Sequence, residues 1–136
     1  MKKRNNYYFI LASLLLLLTG CEGLTSYEKI VTNRSEDTLY VYVLSKHKIE
    51  AEYRDTIAPG TSGLVYYTED RGGNRSPQPC LFHLDSIHIK TSKGNPLMKN
   101  PMDEQNWDLS ITSKRISLVD QVCSFIVTNE DITSDQ

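Results

Sequence analysis

The chain lacks most of what catalysis, cofactor binding or nucleic-acid recognition requires. Its 136 residues hold only three cysteines, three histidines, one tryptophan, seven glycines and five prolines. No G-x-S-x-G turn accompanies a histidine and an acid, so a serine-hydrolase elbow is excluded. No glycine-rich loop precedes a helical pattern, which excludes the phosphate cradle and the dinucleotide fingerprint. The formal net charge is −2 and no basic stripe exists to neutralise a phosphate backbone, which argues against nucleic acid as a partner. Lys46-His47-Lys48 is the tightest basic cluster of the body and reads as a solvated hairpin tip. No internal repeat or heptad is visible, and no helix beyond a turn or two is supported.

One apolar run is present, and it lies at the start. Met1-Lys2-Lys3-Arg4 is cationic, and Ile10-Leu11-Ala12-Ser13-Leu14-Leu15-Leu16-Leu17-Leu18 follows. This is the charged region and short apolar region of an export signal, too short for a permanent span of about 20 residues. Leu18-Thr19-Gly20-Cys21 closes it, and these residues resemble the lipobox of bacterial lipoproteins. The resemblance implies cleavage after residue 20 and acylation of Cys21, the new amino terminus. Two or three acyl chains make membrane retention effectively permanent where one gives only reversible binding. Residues 21–26 then read as lipidated cysteine and tether, 27–128 as one domain and 129–136 as a frayed acidic tail. Glu22 is not the aspartate that favours inner-membrane retention in enteric lipoproteins, so an outer-membrane address is expected, facing the periplasm or the outside.

With Cys21 assigned to lipid, Cys80 and Cys123 remain, in an oxidising compartment where a disulfide is the default. Two free buried thiols, or a zinc pair helped by His83, are the alternatives. A structural zinc site asks for four close protein ligands, more than this chain offers, so no metal is expected.

The body reads as β almost throughout. Strands are expected over residues 27–32, 37–44, 49–57, 62–68, 81–90, 107–112 and 120–128, with a short piece at 97–98. The second separates into Leu39, Val41, Val43 on one face and Tyr40, Tyr42, Leu44 on the other. Ala58-Pro59-Gly60-Thr61 is a tight-turn signal, and the strands beside it read as a hairpin. Residues 69–79, with Gly72-Gly73 and two prolines, are an aperiodic surface loop and a first place to look for binding. Asp85-Ser86 marks a bulge, and residues 100–106 are irregular with room for one helical turn. Trp107, Leu109 and Ile111 share a face, and residues 120–128 form the most apolar and therefore central strand. Seven to nine short strands give an all-β fold, an antiparallel β-sandwich that is immunoglobulin-like in architecture. The immunoglobulin signature itself is absent, because Trp107 lies too near the second cysteine.

Little in this pattern can carry chemistry. His83 and Asp85 are two apart and would share a strand face, with His88 on the other, but no nucleophile joins them. Glu69-Asp70 and Asp103-Glu104 are adjacent in sequence, whereas a glycosidase pair flanks a cleft. No catalytic residue and no cofactor is expected. Eight tyrosines are the better lead. Tyr40, Tyr42, Tyr66, Tyr67 and Trp107 are the candidate binding surface, since exposed aromatic faces suit sugars and peptides. The bland reading is that most of them fill the core.

Asp37-Thr38-Leu39, Asp55-Thr56-Ile57 and Asp85-Ser86-Ile87 resemble the acceptor triplet of the Bacteroidetes O-glycosylation system, implying Thr38, Thr56 and Ser86 as sites. The chain as a whole is similar to the small lipoproteins of Bacteroidetes that have no assigned activity. The expectation is a lipid-anchored, non-enzymatic binding or structural module of the cell envelope. Its partner would be an envelope protein or a glycan; a small enzyme or enzyme inhibitor is the alternative.

Overall fold

The computed structural model describes residues 23–46, 52–72, 76–115 and 118–133. The leader, Cys21, His47 and Lys48, residues 73–75 of the expected binding loop and the last three residues lie outside them. Seven strands are described: β1 (Leu24–Arg34), β2 (Leu39–Ser45), β3 (Glu52–Ile57), β4 (Ser62–Arg71), β5 (Leu84–Thr91), β6 (Asp108–Arg115) and β7 (Leu118–Thr128). They form a four-stranded sheet in the order β4-β1-β7-β6 and a three-stranded sheet in the order β3-β2-β5. The two sheets face each other, and the expected all-β sandwich is observed.

Pattern explains placement. In β7, Gln121, Cys123, Phe125 and Val127 are buried while the residues between them are half-buried, so the strand has neighbours on both sides. Those neighbours are β1, parallel from Leu24 opposite Leu118 to Arg34 opposite Thr128, and β6, antiparallel. In β2, Leu39, Val41 and Val43 are buried, whereas Tyr40, Tyr42 and Leu44 face out. The core joins these β2 residues to Val31, Ile57, Val65, Ile87, Phe125 and Val127. Cys80 and Cys123 are disulfide-bonded with Cα atoms 5.6 Å apart, which excludes the free-thiol and zinc readings. The expected bulge at Asp85-Ser86 is present, where the β2–β5 register slips between Leu44 and Ser45. A 3-10 turn, Glu104–Asn106, occupies the irregular segment.

The expected hairpin across Pro59-Gly60 does not form. β3 pairs with β2, and β4 pairs with β1 in the other sheet. The turn is as tight as its sequence says, with Gly60 at φ 73° and Thr61 N donating to Ala58 O. Its backbone is held by Asn33 instead: Asn33 N donates to Thr61 O, and Gly60 N donates to Asn33 O. These bonds deliver β4 to the edge of β1, with Thr32 opposite Ser62. A turn motif specifies a reversal of direction; the pairing partner is set by such distant bonds.

Other expectations move as well, and β4 runs on to Arg71, into the expected loop. β1 begins at Leu24 with Thr25 and Ser26 buried, so the expected tether gives way to strand three residues after Cys21. The tail is not wholly frayed: Asn129–Asp131 form a 3-10 turn, and Ile132 bridges to Leu97. Trp107 does not share an environment with Leu109 and Ile111. The indole is buried against Phe125, while the other two are each 44% exposed. They lie on β6, an edge strand of the four-stranded sheet.

Candidate functional site

The outer face of the three-stranded sheet presents the aromatic lead. Strand register sets its rows: Tyr40 lies between Thr56 of β3 and Lys90 of β5, and Tyr42 between Arg54 and His88. Tyr40 is 39% exposed and Tyr42 half-buried. The two residues are two positions apart on β2, about 7 Å along the strand. Arg54 lies with its guanidinium carbon 5.7 Å from the centre of the Tyr42 ring, and Lys90 Nζ is 5.9 Å from it. Both are within the range of cation–π attraction. Glu52 Oε1 accepts from Arg54 Nε at 3.0 Å and from Nη2 at 2.6 Å, fixing the guanidinium. An open depression of about 380 Å³ runs along Tyr40, Tyr42, Arg54 and Thr56.

The other three aromatic candidates are not part of this face. Tyr66 is half-buried between the sheets, its hydroxyl 3.4 Å from Ser45 Oγ. Trp107 is core, with Nε1 donating to Pro101 O at 2.9 Å. Tyr67 is exposed on the outer face of the opposite sheet and donates to Glu69, a bond that raises its pKa above the usual phenol value. Of the three glycosylation-like triplets, Thr56 is exposed and borders the depression, while Thr38 and Ser86 are half-buried.

The histidine and the carboxylate two residues apart do not share a face. His83 precedes β5 and is buried, its ring 4.7 Å from Tyr27, 4.9 Å from Phe82 and 6.0 Å from Tyr66. Asp85 is exposed in the bulge, and His88 is exposed on the tyrosine face.

A polar cluster that sequence reasoning missed lies around the disulfide. Lys29 is only 2% exposed, and its Nζ sits 4.5 Å from the centre of the Tyr66 ring. Its register partner on β7 is Cys123. Burial lowers the Lys29 pKa to about 8, and the charge of Glu104 opposes that shift. Glu104 in turn accepts from Cys80 N and, at 3.0 Å, from Leu81 N, holding the turn that carries the first cysteine. Gln121 clasps the same segment, accepting from Gln78 N and donating to Gln78 O. The signal was in the chain: Tyr27, Lys29, Val31 and Asn33 alternate on one face, so Lys29 falls among buried residues by parity. The cations around Tyr42 were not readable in that way, because they come from two other strands.

Among the described residues no group of three or more histidines, cysteines or carboxylates could hold a metal ion. Among them also, no helix is long and apolar enough to cross a membrane. No protein-family model matches the chain, and comparison with curated proteins and with solved structures finds no match.

Proposed function

We propose that this chain is a lipid-anchored binding module of the bacterial cell envelope, moored through Cys21 in the outer membrane and without catalytic activity of its own. The observation that carries the binding role is the exposed row of Tyr40 and Tyr42 framed by Arg54 and Lys90. Aromatic rings and forked cations on one face are the residues that dominate recognition surfaces. The separation of buried His83 from exposed Asp85 supports a role without chemistry. The lipobox supports the anchor: β1 starts at Leu24, so a lipid on Cys21 would hold the sandwich close to the bilayer by the end where β1 begins.

The test is photo-crosslinking on intact cells, from a reactive residue at position 40 and, as control, at position 67 on the opposite sheet. Adducts from position 40 and none from position 67 are expected. Equal labelling from both, or none from position 40, would remove the assignment of this face.

A further inference from the structure

The tyrosine face has a chemistry narrower than general stickiness. We propose that it takes an acidic glycan, a chain of uronic-acid sugars whose ring lies on Tyr40 and whose carboxylate is held by Arg54 and Lys90. This rests on the reading of that face as the binding surface and deepens it to a ligand class.

Three observations point there. First, the face is carried by β2, the central strand of its sheet, whose backbone is paired with β3 on one side and β5 on the other. A peptide cannot add to it as an extra strand, because edge donors and acceptors are needed for that. What remains to a ligand is side chains: flat rings and charged forks. Second, the depression beside them is open to solvent and lined by Tyr40, Tyr42, Arg54 and Thr56, so a ligand would lie along rings and cations. A pyranose is itself a flat, half-apolar disc, which fits an exposed phenol ring with its hydroxyls directed outward.

Third, the charge is distributed by face. The outer face of the four-stranded sheet carries four acids, Glu28, Glu69, Asp108 and Asp120, against Arg34 and Arg71, on a chain whose formal net charge is negative. Among the described residues, the outward register positions of β3 and β5 set Arg54 and Lys90 against Glu52, with Asp85 exposed in the β5 bulge. Glu52 occupies the Nε and Nη2 edge of Arg54, which leaves the Nη1 end of the guanidinium to a ligand carboxylate. Asp55 also borders the depression, but it is on the other side of β3, where its carboxylate lies against Gly63.

The experiment uses the full chain purified in detergent and titrated calorimetrically with oligogalacturonate. Neutral oligogalactan and oligoglutamate are run in parallel. Binding to oligogalacturonate alone is expected. Tyr40→Ala and the pair Arg54→Gln/Lys90→Gln should each weaken it roughly tenfold, the size of one lost charge-assisted bond or stacking contact. Tyr40→Phe should keep it, which separates loss of the ring from loss of the fold. Equal binding of oligoglutamate, or binding indifferent to Tyr40→Ala, would overturn the glycan and leave a merely electrostatic surface. Absence of binding would overturn it too. If position 40 still crosslinks on cells in that case, the ligand class alone has failed; if it does not, the face itself has.

Discussion

Lys29 Nζ rests 4.5 Å from the centre of the Tyr66 ring, inside the sandwich, with 2% of the residue exposed. The β-bulge in β4 makes this possible. Between Lys29 opposite Tyr66 and Ile30 opposite Leu64, Val65 is an additional residue, fully buried. The slip turns Tyr66 inward beside the lysine and keeps Val65 in the core as well. Among the described residues Lys29 makes no ion pair; the Tyr66 ring lies beside its ammonium, and the charge of Glu104 acts on it from further away.

The first prediction follows from that burial. The Lys29 pKa falls from 10.5 to about 8 on folding. Between those values the unfolded chain binds a proton that the native chain does not, so stability rises with pH across the window. Below it the penalty is present in full. The total is at most roughly 3 kcal/mol, at about 1.4 kcal/mol per pKa unit. Tyr27 works oppositely, since burial raises its pKa and its contribution is lost above about pH 10. Urea unfolding at pH 7.5 and 9.5 should therefore show higher stability at the higher pH. Lys29→Met should remove the slope and be the more stable protein at pH 7.5, by about 1–3 kcal/mol.

Asn33 is the second point of leverage. It is wholly buried, and its side chain donates to Asp37 O at 2.7 Å and Ile57 O at 3.0 Å. Its Oδ1 accepts from Ser35 N at 3.0 Å and from Ser35 Oγ at 2.7 Å. The two sheets are thus joined through one amide. Asn33→Ala should cost about 2–4 kcal/mol by leaving carbonyls unpaired. Asn33→Asp should cost more at neutral pH, because a carboxylate oxygen would face two carbonyls. Denaturant midpoints at constant slope measure both.

The disulfide gives a third. Cys80 and Cys123 are 43 residues apart, and the chain-entropy argument assigns their link roughly 4 kcal/mol. Reduction, or Cys80→Ser with Cys123→Ser, should lower the unfolding free energy by about that amount. The turn holding Cys80 is also tied by Glu104 and Gln121, so the loss should appear as a lower midpoint with the fold retained. Loss of the near-UV circular-dichroism signal with the far-UV signal retained would show instead that the bridge organises the segment.

How much of this could be read from the chain divides by the range of the interaction. Leu39, Val41 and Val43 against Tyr40, Tyr42 and Leu44 is a period-two pattern, and it gave both the core face and the exposed aromatic face of β2. The same parity placed Cys123, Phe125 and Val127 together, and cysteine counting joined the first of them to Cys80. Apart from the disulfide, what failed was what a partner distant in sequence decides. The turn at Pro59-Gly60 could not say that Asn33 would hold it. Trp107 and Leu109 are two residues apart, but Pro101 and Phe125 enclose only the first. Tyr66 looked like a surface residue until the bulge turned it toward Lys29. The cations beside Tyr42 belong to the same class, since Arg54 and Lys90 reach it only through the order of three strands.

The fourth prediction tests the corner where the two sheets approach. Gly63 follows the Pro59-Gly60 turn on β4, and a Cβ there would lie 2.5 Å from Asp55 Oδ2 and 2.9 Å from Ile57 Cδ1. The carboxylate can swing aside, but Ile57 is 2% exposed and packed in the core. Relief must then come from β3 and β4 moving apart, which strains the turn between them. Gly63→Ala should destabilise by about 1–3 kcal/mol. Gly63→Ala together with Ile57→Val should recover part of it, since one methyl less leaves room for the one added. Thermal unfolding of the three variants decides the matter: strictly additive losses would mean that the contact is relieved elsewhere and that this corner is not where the sheets are held.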